Sequence, residues 1–194
     1  MVSIVAVTYN QNNILKCFIN SIKSQTSNNW NLILIHDGPN EDLKNELHSQ
    51  GYLQDEKIKF IEFSYRTENY GHLLRKWALE NLELNDYVLI TNGDNYYTPN
   101  MIEEIDKRTE DLIYFDLVHS HKTKVNHNQH TYGFMDSKLQ CSYIDIGNVV
   151  VKSQLAKKVG FSSTRFAADW DYIDDILKLN PSIYKIEKIL FVHN

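Results

Sequence analysis

Three short polar clusters interrupt apolar runs in the first half of this chain: Thr8-Tyr9-Asn10, His36-Asp37-Gly38 and Asn92-Gly93-Asp94. Asp37 and Asp94 bring carboxylates, which accept N–H groups or hold hard divalent cations. Much later, Ala168-Asp169-Trp170 opens an acidic run that continues through Asp171, Asp174 and Asp175, and His193 lies near the last residue. A carboxylate near a hydroxyl is sufficient as a general base. Tight turns also favour Asn, Asp and Gly, so turn formation accounts for any one cluster; it accounts less well for three of them in series.

The elements that would position these groups alternate. Residues 3–7 and 31–35 are short apolar runs of the kind buried on both faces of a sheet. Residues 10–26 carry Ile14, Phe18 and Ile22 at four-residue spacing, an amphipathic helix. Helices are also expected over 41–50 and 71–82, strands over 57–63 and 86–91, and a further helix with Pro99 at its first position. The second half reads as a strand over 111–119, an irregular polar stretch over 120–139, a strand over 144–151, helices over 153–159 and 167–179, and an extended segment over 183–192. Strand and helix alternation up to about residue 110 argues for an α/β, doubly wound, mostly parallel sheet with a mixed C-terminal part. All 194 residues are read as one domain, with a nucleotide-binding half over 1–110 and an acceptor-side half over 111–194. In such a sheet, ligands bind outside the carboxyl ends of the strands, where strand order reverses, and the three polar clusters are strand ends.

Composition narrows the chemistry. The net charge of −5 and the absence of a long basic block argue against nucleic acid as a partner. No apolar stretch is long enough for a membrane span and no signal-peptide pattern opens the chain. The two cysteines, Cys17 and Cys141, have no metal-binding spacing and read as thiols of a reducing, cytoplasmic compartment. Gly-x-Gly-x-x-Gly is missing after the first strand, as is a Walker lysine loop. A bound diphosphate would then be neutralised by a carboxylate-held cation. His119, His121, His127 and His130 include H-x-H and H-x-x-H spacings, but lysines and asparagines lie among them and no cysteine does, so they read as a polar loop rather than a zinc site.

The order of these motifs resembles the inverting family-2 glycosyltransferases of the GT-A fold. Residues 2–10 resemble the family's first strand and its Thr-Tyr-Asn end; Ser21-Ile22 with Gln25-Thr26 is similar to its first helix end. Residues 30–38 resemble its Asp-Asp-Gly segment with His36 in place of the first Asp, and Asn69-Tyr70-Gly71 is similar to its Asn-x-Gly loop. Ile144-Asp145-Ile146-Gly147, Val159-Gly160-Phe161 and Ala168-Asp169-Trp170 resemble its acceptor-side segment and Glu-Asp helix.

The resemblance implies a nucleotide-diphosphate sugar donor, UDP-linked in expectation, a glycan or other hydroxyl acceptor, and Mn²⁺ or Mg²⁺ as cofactor. It implies that Thr8, Tyr9, Asn10 and Asp37 meet the base and ribose, with Asp37 accepting the uracil N–H. Arg75 or Lys76 would lie near the base or phosphates, alongside Asn92 and Gly93. Asp94 would hold the metal as the last residue of a D-x-D motif, with His193 as a further ligand, and Asp169 would be the general base. Here the motif's first Asp is Asn92, which removes one charge. Asp171 is the alternative base, and a plain turn residue is the alternative for Asp94. A sugar-nucleotide-binding domain without catalysis is the rival function; a nucleotidyltransferase would need a glycine- and arginine-rich first loop that is absent. Relatives usually continue past a segment like Phe191-Val192-His193-Asn194, so the chain is expected to belong to a larger protein.

Overall fold

Val2–Thr8 (β1) is buried at every position because helices cover both faces of its sheet. Val2, Ile4 and Ala6 point into one core, and Val5 and Val7 into the other. The first core is closed by α1 (Asn12–Lys23), α2 (Glu41–Ser49) and α4 (Met101–Asp106), through Leu15, Phe18, Leu43, Leu47 and Met101 among others. The second is closed by α3 (His72–Asn81), α5 (Ser153–Val159) and α6 (Ala168–Leu177), through Leu74, Ala78, Ala156 and Ile173. This computed structural model describes residues 1–10, 12–122 and 130–194.

The remaining strands are β2 (Trp30–His36), β3 (Ile58–Glu62), β4 (Tyr87–Asn92), β5 (Tyr96–Tyr97), β6 (Leu112–Lys122), β7 (His130–Met135), β8 (Val149–Lys152) and β9 (Ile183–His193). Their order is β3-β2-β1-β4-β8-β6-β9-β5, with β7 paired to β6. β1, β2, β3 and β4 are parallel; β8 is antiparallel to both β4 and β6, and β9 is parallel to β6. Two reversals restore direction, so β6 and β9 end on the same edge as β1, β2 and β4. Strand order switches between β1 and β4, which opens a crevice at their carboxyl ends.

The mostly parallel sheet with a mixed later part agrees with the sequence reading; several local features differ. The stretch expected to be irregular from residue 120 contains the end of β6 and all of β7, which form an antiparallel ladder from Leu117↔Met135 to Lys122↔His130. Residue 127 and the side chains of His121 and His130 lie outside the described residues. The strand expected over 144–151 begins instead as a 3-10 turn, Ile146–Asn148. Asp145 caps it by accepting from the Gly147 N–H at 2.7 Å, and Asn148 accepts from the Asp145 N–H at 3.0 Å. Pro99 precedes the Asn100 cap of α4 and so lies outside that helix.

Candidate active site

The carboxyl-end crevice is a cleft of about 970 Å³. Thr8 and Tyr9 reach it from β1, Asp37 from the end of β2, Asn92 and Asp94 from β4, His119 from β6, and His193 from β9. Arg75 reaches it from α3 and Asp169 from α6. Residues more than 180 positions apart in the chain therefore share one wall because five strands end on one edge.

Asp37 is 5% exposed, and its carboxylate organises the loop opposite. Its Oδ1 accepts from the Thr67 N–H at 2.6 Å and the Thr67 hydroxyl at 2.7 Å, and its Oδ2 accepts from the Glu68 N–H at 3.1 Å. His36, where the resemblance expects an Asp, is buried and tied to the turn: its Nδ1 lies 2.6 Å from the Gly38 carbonyl and therefore donates to it. Gly38 has φ +94°, a conformation that an L side chain adopts only with strain. Beside this turn, Arg66 stacks its guanidinium 4.0 Å above the ring of Tyr9.

Arg75 is the buried cation of the site, 2% exposed. Its Nη2 donates to Asn92 Oδ1 at 2.6 Å, and its Nη1 lies 2.6 Å from His72 Nδ1 and 3.7 Å from Asp169 Oδ1. Guanidinium has no acceptor, so His72 Nδ1 accepts and the imidazole carries its proton on Nε2. Burial, and then the Arg75 charge, push the His72 pKa down to about 4. His72 stacks on Phe161 at 5.4 Å.

Asp169 and Asp171 occupy the first turn of α6 but face different surroundings. Asp169 Oδ1 is buried without a hydrogen-bond partner. Burial raises its carboxyl to about 6; Arg75 pulls it down, Asp145 pushes it up and His193 pulls it down. Asp171 lies away from the cleft, ion-paired to Arg165 and accepting from the Ser163 hydroxyl at 2.6 Å. Those hydrogen bonds lower it to about 2.

At the far side, His193 Nε2 lies 3.4 Å from Asp145 Oδ2, and its ring stacks on His119 at 4.4 Å. Its Nδ1 is buried without a hydrogen-bond partner. Asp94 is next to this corner: its carbonyl accepts from the side chain of Asn194, the residue after His193, at 2.7 Å. Among the described residues no three acidic, histidine or cysteine side chains converge as a ready metal cage. A carboxylate and an imidazole bordering a diphosphate-sized cleft nevertheless fit Mg²⁺ or Mn²⁺, which take few protein ligands and complete their shell with phosphate oxygens and water.

Three residues expected to meet the nucleotide lie off the cleft wall. Lys76 is exposed and faces Glu80 at 3.9 Å, one helical position round from Arg75, so of those two it is Arg75 that enters the site. Asn10 is an exposed residue at φ 49°, where the chain leaves β1. Gly93 is buried behind the wall; a Cβ there would meet Leu15 Cδ1 at 2.9 Å and Thr8 Cβ at 3.1 Å. Conversely, the cleft contains Arg66, His72, Asp145 and Phe166, to which sequence reasoning gave no role. Asp145 alone had a usable signal, as the carboxylate of a motif already singled out.

Known proteins place this architecture. TarS from S. aureus, in its residues 1–349 complex with UDP, superposes with a TM-score of 0.77 at 16% identity, over 98% of this chain and 59% of that one. The mannosyltransferase PcManGT from Pyrobaculum calidifontis, in complex with GDP-Man and Mn²⁺, superposes with a TM-score of 0.72 at 15% identity, over 99% of this chain and 56% of that one. At such identities these likenesses establish the GT-A fold. An uncharacterized glycosyltransferase of Methanocaldococcus jannaschii is 29% identical over 121 residues, 62% of this chain and 41% of that protein. The chain thus spans less than two thirds of the length of these relatives. The model of glycosyl transferase family 2 matches residues 3–168, and the chain belongs to that family.

Proposed function

We propose that this chain is a glycosyltransferase domain that moves a sugar from a nucleotide-diphosphate donor, UDP-linked in expectation, to a hydroxyl acceptor with inversion. Asp169 carries the reading: a carboxylate with one oxygen that has no hydrogen-bond partner, raised to about 6, in the same cleft as polar residues from five strands. Perturbed carboxylates in clefts are functional candidates, and a base with a pKa near the working pH transfers protons efficiently. Asp169 takes the acceptor hydroxyl proton as that oxygen bonds the anomeric carbon. The bond from this carbon to the diphosphate oxygen breaks, and its electron pair leaves with the diphosphate.

On the donor side, Thr8, Tyr9 and Asp37 would receive the nucleoside. A carboxylate has about four acceptor directions, and Asp37 gives three to its loop, which keeps one for the base N–H. Arg66 over Tyr9 adds a flat cationic neighbour for base or phosphate. Asp94 and His193 are the residues that would hold Mn²⁺ or Mg²⁺, which supplies Lewis-acid stabilisation of the charge gained by the departing diphosphate. Asn92, with its carbonyl oxygen given to Arg75, acts on the protein side of the site rather than on the cation. On this reading the donor-side residues Asp37 and Asp94 come from before about residue 110 and the acceptor-side residues Asp145 and Asp169 from after it, while His193 joins the donor side from the second half.

Release of UDP from UDP-sugars with Mn²⁺ is the test, with Asp94→Ala and Asp169→Ala as controls. Turnover that both substitutions abolish supports the assignment. Tight UDP binding without turnover on any acceptor favours the rival reading, a non-catalytic sugar-nucleotide-binding domain, for which the engagement of Asn92 by Arg75 is the supporting observation.

A further inference from the structure

The mouth of the cleft carries the two most exposed large apolar side chains among the described residues, Phe166 at 86% and Tyr70 at 71%. They come from segments almost a hundred positions apart and meet edge to face, with ring centroids 6.0 Å apart at 80°. Tyr70 also lies 5.8 Å from the ring of His72, so its position continues inward to the Arg75 network. Exposed aromatic pairs bordering a cleft mark contact surfaces rather than core.

The backbone beneath Tyr70 is held in a rare form. Glu68, Asn69, Tyr70 and Gly71 have φ of 58°, 49°, 55° and 74°. Non-glycine residues in this region are strained and persist only where the surroundings enforce them. Two anchors enforce them here. Asp37 takes the Thr67 and Glu68 N–H groups, and Gly71 sits so close to β1 that a Cβ would fall 2.5 Å from Val7 Cγ1. The product of this strained loop is an aromatic ring left largely in solvent at the cleft mouth, its ring contacts among the described residues being those with Phe166 and His72.

Resting on the glycosyltransferase reading above, the geometry points to Tyr70 and Phe166 as an acceptor platform that stacks the C–H face of a saccharide ring, making the acceptor hydroxyl that of a sugar. A pyranose presents C–H groups on its faces and hydroxyls around its rim. Asp169, Asp145, Ser142 and Trp170 line the same cleft and match that rim, while the aromatic pair matches the face. An acyl chain requires continuous apolar lining, and the carboxylates of Asp145 and Asp169 interrupt it.

Saturation-transfer NMR on the whole chain, irradiating aromatic protons, reads the platform without any nucleotide, using cellobiose, chitobiose, maltose and lactose. The expected result is transfer to ring C–H protons of one face in at least one disaccharide. Phe166→Ala and Tyr70→Asn should reduce it roughly tenfold, the value of losing an aromatic contact of about 1.4 kcal/mol, and Phe166→Trp should restore it. Asn tolerates positive φ, so Tyr70→Asn preserves the loop, and an unchanged far-ultraviolet circular dichroism spectrum with a cooperative thermal melt in each variant shows that the fold persists. No transfer to any of the four disaccharides from the wild type overturns the proposal. So does binding to phosphatidylglycerol vesicles that Phe166→Ala abolishes, which would make the pair a membrane contact. UDP titration with Mn²⁺ is a separate arm: its failure removes the donor reading, whereas the disaccharide arm decides the platform.

Discussion

Two faces of one helical turn carry the contrast on which the site depends. On one face of α6, Asp171 meets Arg165 and Ser163 and is lowered to about 2. On the other, Asp169 enters the cleft with its Oδ1 lacking a hydrogen-bond partner, and burial raises it to about 6. The residues are of one type and both lie in the first turn of α6, so residue type and helix dipole do little to separate them. What separates them is their surroundings: hydrogen bonds from Arg165 and Ser163 hold Asp171 ionised, whereas burial raises Asp169 against the pull of the Arg75 guanidinium 3.7 Å away. The donor-side strand ends resemble Asp171 in this respect: Asp37 accepts from Thr67, Asn92 accepts from Arg75, and His36 donates to the Gly38 carbonyl.

The largest effect should come from removing the carboxylate raised by burial. Asp169→Asn is expected to lower kcat for sugar transfer by about 10²–10⁴-fold, the usual contribution of a general base. The same change should raise thermal stability at pH 7. A carboxyl raised in the folded state binds more protons there than in the unfolded chain, so its contribution to stability falls as pH rises from about 4 to about 6. A thermal melt showing a lower midpoint for Asp169→Asn would break the contrast.

Next in size is Arg75→Met. It strands Asn92 Oδ1 and His72 Nδ1 in a buried setting, at a cost of about 1–3 kcal/mol for each acceptor left unsatisfied, measurable by urea denaturation. Because Arg75 pulls Asp169 down, its loss should also move the acid limb of the rate profile to higher pH. An unmoved limb would detach Arg75 from the base.

Asp37→Ala should release the residue 67–70 loop and weaken UDP binding roughly tenfold, the scale of one charge-assisted hydrogen bond, as read by calorimetry. The smallest effect belongs to Asp171→Asn. Its lowered carboxyl stabilises above pH 4 and loses that contribution as pH falls toward about 2. Since Arg165 is largely exposed, the loss at pH 7 should stay under about 1 kcal/mol, with kcat within about twofold of wild type.

Much of the fold was legible because parallel strands buried on both faces leave unbroken apolar runs, and β1, β2 and β4 lie within a residue or two of expectation. β5 and β7 were missed for a physical reason. Tyr96–Tyr97 is too short for any period to register. The β7 sequence, HTYGFM, places Tyr132 and Phe134 outward at 54% and 63% exposure while the smaller Gly133 and Met135 face inward half-buried, so its bulkiest apolar residues do not mark a buried face. The 3-10 turn at Ile146–Asn148 was hidden in an apolar run because Asp145 and Asn148 close it reciprocally, a pairing visible only in three dimensions. In the site, residue types at strand ends predicted which segments would converge, since topology alone brings them to one edge. They did not decide between Arg75 and Lys76, which helical phase settles in favour of Arg75; Asp169, already placed ahead of Asp171 by the resemblance, is the one of that pair that lines the cleft. Asn92 stands where the resemblance has the first Asp of D-x-D, and its oxygen accepts from Arg75, a partner 17 positions away that spacing did not indicate.

The most direct measurement is the pH dependence of acceptor-stimulated UDP release by the wild type and Asp169→Asn, with Mn²⁺ held saturating. The account predicts that the wild-type rate climbs with pH through an inflection near the raised carboxyl, about 6, while Asp169→Asn shows a low residual rate without that inflection. Equal rates in the two proteins, or an inflection that survives in Asp169→Asn, would contradict the assignment of Asp169 as the base.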